Sequence, residues 1–363
     1  MAGIYIHIPF CVKKCHYCDF TSYTCLDSQD EYVKSLLQEI ELKKEVLKQK
    51  EWSTIFIGGG TPSLLSIDNL SSITKSLFKY IDPVNISEFT IEVNPKTVDQ
   101  AKLESYLNLG INRLSVGVQS FNDEELRNIG RIHSKEDAIN TINLALATGF
   151  SNISLDLIFG LPYQTLDSLM QTLKIATDIG VKHISFYGLQ IEEGTVLSNM
   201  VEENLTELPN EDIESTMYLE GVKYLVQNGY HQYEISNFAK DKLKSEHNFN
   251  YWLYKDYIGL GVSSHSKIEG TRYSNTHDIK IYMDKIKEGK IPVELKEILT
   301  PEEMRYEHKM LLLRTEEGIP LKDVKDEYLQ VLLQNNLAKI KGEKLVLTEK
   351  GLVISNEIIS EIL

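Results

Sequence analysis

Apolar residues along this chain alternate between two rhythms. Short, β-branched runs at 3–8, 54–57, 89–93, 113–118, 153–158 and 183–187 read as strands. Between them, apolar residues recur every three or four positions, as at Val33, Leu36, Leu37, Ile40, Val46 and Leu47, which is a helical stripe. The spacing predicts helices at about 27–50, 66–80, 97–109, 122–128 with 135–148, and 165–178. Each strand–helix unit takes roughly 35 residues, the size of a βαβ repeat. Six such units predict a parallel sheet with helical crossovers, either an open (β/α)6 barrel or a doubly wound sheet.

The rhythm stops near residue 200. A helix opening at Leu208-Pro209-Asn210 and running to 228, then a short strand at 230–235, lead into Ser245-Glu246-His247-Asn248-Phe249-Asn250-Tyr251-Trp252 and a glycine-bearing stretch, 259–266. Thr300-Pro301-Glu302-Glu303 places a capping residue, a first-turn proline and a reciprocal Glu, and so starts another helix. From there the pattern predicts three helices, two short strands around Lys341-Gly342-Glu343 and a helix over 348–363, the order of a winged-helix-like module. The expected organisation is therefore 1–200, an α+β region at 201–298, and the module at 299–363.

Composition narrows the function. Formal charge is −15, a poor match to phosphate backbones. The final module has nine Lys and Arg against twelve acids, which suggests a cap or partner contact rather than a DNA reader. No apolar run is long enough to cross a bilayer. The start, MAGIYIHIPF, lacks a basic region and a small-residue cleavage site, so no signal peptide is expected. Four cysteines, three of them bunched, suit a reducing cytoplasm better than a disulfide framework.

The bunched cysteines are Cys11, Cys15 and Cys18, directly behind the first strand. Three thiolates in one tight loop can bind three corners of a four-iron cluster and leave the fourth iron open. Structural zinc, with Cys25 or His16 as a fourth ligand, is the alternative, although zinc motifs usually bring ligands as two separated pairs. Free thiols are the plainest option. Gly58-Gly59-Gly60-Thr61, Glu92, Gln119, Arg131 and Asp156 lie at or near the C-terminal ends of predicted strands. Ligands bind at that edge in barrels and open sheets alike, so the candidate chemistry converges on one rim.

The C-x3-C-x2-C spacing after the first strand of a six-unit α/β chain resembles the radical S-adenosylmethionine (SAM) proteins. Tyr5–Phe10 ahead of Cys11, His16-Tyr17 and Asp19-Phe20 around Cys18, Gly58–Ser63, Ile91–Pro95, Gly117–Ser120 and Gly130–His133 resemble the oxygen-independent coproporphyrinogen III oxidase group. In that group the oxidase carries a further cysteine two residues after the third ligand, where Phe20 stands here. Phe20 and His247-Asn248-x-x-Tyr251-Trp252 are similar to its HemW branch, whose members act as haem chaperones.

The resemblance implies a partial (β/α)6 radical SAM barrel. It further implies that Cys11, Cys15 and Cys18 hold a [4Fe–4S] cluster, whose open iron chelates the methionine end of SAM. Reductive cleavage there gives methionine and a 5′-deoxyadenosyl radical. Tyr5, Tyr17, Gly60, Thr61, Glu92, Gln119, Arg131 and Asp156 match SAM-lining positions, and His247 matches the haem ligand. Taken alone, His247, Phe249, Tyr251 and Trp252 also fit an aromatic helix packing its own core. The chaperone would take haem as cargo and pass it to haem-requiring proteins; the other reading is the decarboxylating oxidase. A homodimer and peripheral membrane contact stay open, and Cys25 has no role assigned.

Overall fold

The computed structural model describes residues 2–363. Six parallel strands form its centre: β1 (Ala2–Ile8), β2 (Trp52–Gly59), β3 (Glu88–Val93), β4 (Arg113–Gln119), β5 (Asn152–Phe159) and β6 (His183–Gly188). They pair in sequence order, β1 to β6. One set of side chains on these strands is apolar and fully buried, including Ile4, Ile6, Ile55, Ile57, Ile91 and Val116. These pack with buried faces of the connecting helices in one core, among them Leu36 and Ile40, Ile73 and Leu77, Ile142, and Leu173. At about 25 cal/mol per Å² of apolar surface removed from water, this layer is what holds the strands in register.

The other set of side chains is polar. The pairing register puts Thr54 beside Glu88, Thr90 beside Arg113, Glu92 beside Ser115, Ser154 beside His183, and Asp156 beside Ser185. The concave face of the curved sheet is thus a polar lumen. Local sequence fixes the crossovers: Ser134 and Thr165 each close a capping box, Gly149 and Gly180 end the same helices, and Asp99 caps Gln100–Asn108.

The expected helix over 27–50 is two helices, Gln29–Leu42 and Lys44–Gln49, broken at Lys43. The Lys43 ammonium turns inward instead, to Glu39 at 2.7 Å and to the Gly259 carbonyl at 2.9 Å. A helix at Val196–Glu202 had no predicted counterpart.

Strands beyond residue 200 join the same sheet at both edges. β7 (His231–Gln232) and β8 (Asn237–Ala239) add antiparallel to β6. β9 (Tyr257–Leu260) adds parallel to β1, and β10 (His265–Ile268), β11 (Thr271–Asn275) and β12 (Val293–Ile298) continue antiparallel. The sheet has twelve strands among the described residues. His247 and its neighbours form the helix Glu246–Trp252.

In the last segment, Thr300 accepts from Glu303 and Pro301 opens the helix Pro301–Leu312. The middle of the three expected helices is instead β13 (Ile319–Pro320) and a 3-10 turn, Leu321–Asp323. Pro320 lacks the N–H that a helix interior needs. The helix Asp326–Gln334 and the hairpin β14 (Ala338–Lys341) with β15 (Lys344–Leu347) follow, and β13 pairs with β15. The final helix is split, Glu349–Val353 and Ser355–Ile362. No helix among the described residues is long and apolar enough to cross a membrane.

Candidate functional site

The cysteine loop leaves the C-terminal end of β1 and is fastened at several points. The Cys11 amide donates to the Tyr23 carbonyl (3.0 Å) and the Tyr23 amide to the Pro9 carbonyl (2.7 Å). The His16 amide donates to the Ile129 carbonyl (3.0 Å), and the His16 carbonyl accepts from the Leu197 amide (2.8 Å). The glycines after β2 form the loop's seat. The Gly60 amide donates to the Ile8 carbonyl (2.9 Å) and the Thr61 amide to the Phe10 carbonyl (2.7 Å). A Cβ on Gly60 would stand 2.8 Å from the Phe10 backbone nitrogen and oxygen. Gly59 has φ +112°, and a Cβ there would meet the His7 ring at 2.5 Å. Gly60 therefore allows close backbone approach at the entry to the cysteine loop, and Gly59 leaves room for the His7 ring on β1.

Polar groups reach two of the three sulfurs. Thr61 Oγ1 lies 3.5 Å from Cys11 Sγ, and Arg131 Nη1 lies 3.6 Å from Cys15 Sγ. Asn94 links the two arms: its Nδ2 donates to Thr61 Oγ1 (2.7 Å) and its Oδ1 accepts from Arg131 Nη2 (2.7 Å). Arg131 also donates to the Gly117 carbonyl, and its Nε is buried without a partner. Burial pushes the Cys18 thiol up to about 11, so a metal must draw off its proton before it can ligate. Among the described residues no three His, Cys, Asp or Glu side chains converge on a single metal position. Donors aimed at sulfur and three thiolates on one cavity wall fit the cluster.

A cavity of about 510 Å³ opens beside this loop. Cys11, Cys15, Cys18 and Tyr17 line it, together with Gly60, Thr61, Glu92, Gln119, Arg131 and Asp156. Ten of the eleven residues expected around the cluster and its ligand thus line this one cavity. Gln119 sits at φ +68°, at a register shift between β4 and β5. A bulge with a left-handed non-glycine residue is strained and re-aims a side chain. Asp156 accepts from Ser115 Oγ at 3.2 and 3.1 Å, and burial raises its carboxyl pKa. Glu92 Oε2 accepts from the Gly59 amide (3.0 Å). Burial, then the Asp156 charge, push Glu92 up to about 8. A cationic ligand group would relieve that unfavourable pair of acids.

Tyr5 does not line this cavity. Its hydroxyl is 3.0 Å from His7 Nδ1, and it faces a second space of about 970 Å³. The two spaces share Phe20, Phe56, Glu92, Tyr187 and Asn248 along their common boundary. Phe20 is 59% exposed at that boundary. Tyr251, Trp252, Tyr254 and Tyr257 wall the second space, and Lys267 and Arg272 supply cations.

His247 also lines the second space but is buried and doubly engaged. Its Nδ1 is 2.8 Å from Thr54 Oγ1 and its Nε2 is 2.8 Å from the Tyr251 hydroxyl. The ring stacks on Phe56 at 5.3 Å. Burial, then the Arg113 charge, hold its pKa down to about 3, so it is neutral. Its helix starts on a carboxylate: Glu88 accepts from the Glu246 amide (2.7 Å) and the His247 amide (3.1 Å). Sequence reasoning missed Glu88, Asn94, Arg113 and the cation pair. The alternation of polar and apolar residues within each strand is the signal that marks the lumen positions among them.

The Radical SAM superfamily model matches residues 5–176. The chain is 38% identical to the "Heme chaperone HemW" of Bacillus subtilis, over 99% of this chain and 98% of that one. It is 35% identical to that of Haemophilus influenzae, over 98% and 96%. Among solved structures, the radical SAM enzyme coproporphyrinogen III oxidase (HemN) from Escherichia coli aligns with a TM-score of 0.85 at 24% identity, covering 99% of this chain and 89% of that one. That likeness establishes a shared fold.

Proposed function

Since the chain belongs to the HemW family of radical SAM proteins, we propose that it is a haem chaperone: it takes haem into the second cavity and passes it to a haem-requiring protein. Cys11, Cys15 and Cys18 hold a [4Fe–4S] cluster in this reading, and the first cavity takes SAM. When bound, the pair supplies one-electron chemistry at the rim. The chain's own groups have simpler tasks. Thr61 and Arg131 donate toward the sulfurs, Asn94 keeps those two donors in step, and Glu92 and Asp156 receive a cationic ligand group. Tyr17 and Gln119 shape the pocket around it.

The observation that carries the reading is the second cavity itself, large and walled by aromatic rings, with Lys267 and Arg272 set among acids that include Glu307. Aromatic faces suit a planar macrocycle, and cations suit its carboxylates. The oxidase reading shares the scaffold, and a scaffold does not choose between activities. Phe20 favours the chaperone, since an apolar ring stands where the oxidase has its extra cysteine. The expected localisation is the cytoplasm, with haem-accepting proteins as partners; the acidic charge argues against nucleic acid.

The test is anaerobic reconstitution of the cluster, titration with haem, and a coproporphyrinogen turnover assay with SAM in the same preparation. Haem binding without decarboxylation is expected; robust decarboxylation would overturn the reading. Cys15→Ser should lose the iron–sulfur absorbance, and a colourless wild-type protein with stoichiometric zinc would refute the cluster.

A further inference from the structure

Three histidines line the second cavity: His7, His247 and His265. Two of them have no ring nitrogen to spare. His7 holds the Tyr5 hydroxyl at 3.0 Å and the Thr21 carbonyl at 2.8 Å. His247 is held between Thr54 and Tyr251. His265 differs: among the described residues its ring makes no hydrogen bond, and it is exposed into the cavity. Burial and the Arg272 charge lower its pKa, which favours the neutral ring that metals bind.

The position of His265 is also built. It opens β10 after a turn in which Gly261 and Ser263 take left-handed backbone, φ +97° and +58°. Ser264 Oγ donates to the Gly261 carbonyl (2.7 Å), and the Asn275 amide donates to the Ser264 carbonyl (2.9 Å). Thr21 Oγ1 donates to Ser263 Oγ (3.0 Å), which ties this turn to the cysteine loop. Two residues on, Lys267 points to the same face of the strand. Arg272 pairs directly with Lys267 across the β10–β11 hairpin and so shares that face. Lys267 is steadied by the Tyr254 carbonyl at 2.9 Å, and Arg272 by Glu307. One hairpin face therefore presents an unengaged imidazole and two fixed cations to an aromatic-walled cavity.

From this geometry we propose that His265 is the protein ligand to the iron of the haem cargo, with Lys267 and Arg272 receiving its carboxylate edge. The proposal rests on the haem-chaperone reading and deepens it. His247 becomes a positioning residue: it fixes Tyr251 and Phe56 as walls of the cavity.

The test uses full-length protein with its cluster reconstituted, titrated with ferric haem and followed by the Soret band and by electron paramagnetic resonance. In His265→Ala, haem binding should weaken by at least about tenfold, the penalty typical of disturbing a metal ligand's support. The imidazole signature should vanish and return on adding free imidazole, with the cluster absorbance unchanged. His247→Ala should keep the signature. Lys267→Met should weaken haem but not its dimethyl ester. Wild-type affinity and spectra in His265→Ala, or loss of the signature in His247→Ala alone, would overturn the ligand assignment and leave the chaperone reading standing. Equal weakening of haem and its ester in Lys267→Met would overturn the carboxylate assignment. A wild-type protein that binds no haem would overturn both readings.

Discussion

The helix Glu246–Trp252 carries His247, Tyr251 and Trp252 on seven residues, and an isolated helix that short does not hold in water. Its N-cap, Ser245, makes no side-chain cap hydrogen bond. The first two amides are instead satisfied by Glu88, from a strand almost 160 positions upstream, at 2.7 and 3.1 Å. Each such charge-assisted bond contributes about 1.5–3 kcal/mol net. Glu88→Gln keeps one acceptor oxygen, loses the charge at the helix N-terminus, and turns an NH2 toward an amide donor. It also removes a counter-charge from buried Arg113, whose Nε and Nη1 have no partner. Working against these losses, a neutral side chain escapes the desolvation that raises the Glu88 pKa. The net cost should be about 2 kcal/mol.

Because a chain of this size need not unfold in two states, the assay should be local. Native-state hydrogen exchange at the amides of Asn250 and Tyr251 should quicken by roughly thirtyfold, the equivalent of that free energy. The helix Leu166–Ile179, with its own Thr165 capping box, is the internal control and should not change. Exchange at 250 and 251 within about twofold of wild type would refute Glu88 as the support of this helix.

Three further outcomes follow from the same geometry. Glu92 has a folded pKa of about 8 against 4.5 ordinarily, so the folded protein holds a proton that the unfolded chain releases between those values. Stability of the SAM-free protein should then fall as pH rises through that window, by at most about 1.4 kcal/mol per unit. Glu92→Gln should flatten the pH dependence of the urea midpoint, and an unchanged slope would count against the assignment. Gly60→Ala puts a Cβ 2.8 Å from the Phe10 backbone, so the cysteine loop must shift; bound iron should drop well below wild type in parallel reconstitutions. Thr54→Val leaves the buried His247 Nδ1 without its 2.8 Å partner and should cost about 1–3 kcal/mol, read as a lower unfolding midpoint.

How much of this was legible depended on the range of the interaction that decides it. The six strand–helix units are set by periods of two and 3.6 and by local caps such as Ser134 and Thr165, so the pattern reveals them. The cysteine loop is equally local, eight residues from Cys11 to Cys18. Gln119 shows where local reading ends. Nothing in its neighbours announces a left-handed backbone; the β4–β5 bulge creates it. Of the added strands only the short one at 230–235 was expected, as β7; the others were hidden for a related reason. β9 pairs with β1 across about 250 residues of sequence, and a four-residue strand that contains Gly259 and runs into Gly261 carries little periodicity of its own.

One legible signal went unused, and it bears on how the site works. Parallel strands covered on both faces by helices read as continuous apolar runs. These strands instead alternate, as in Phe89-Thr90-Ile91-Glu92-Val93, Leu114-Ser115-Val116 and Ile153-Ser154-Leu155-Asp156. Alternation in a parallel sheet means that one face meets something other than apolar helix, and here that face is the lumen. At the rim the lumen residues form the first cavity, through Glu92, Ser115 and Asp156. Deeper in, Glu88 and Thr54 anchor the helix that walls the second. A radical SAM barrel thus supplies the first cavity from its own strands. The second needs β10, β11 and the helix Glu246–Trp252, which lie outside the six repeats. A relative could keep the first cavity and change the second without disturbing the barrel, which is how a fold shared at 24% identity can serve different ends.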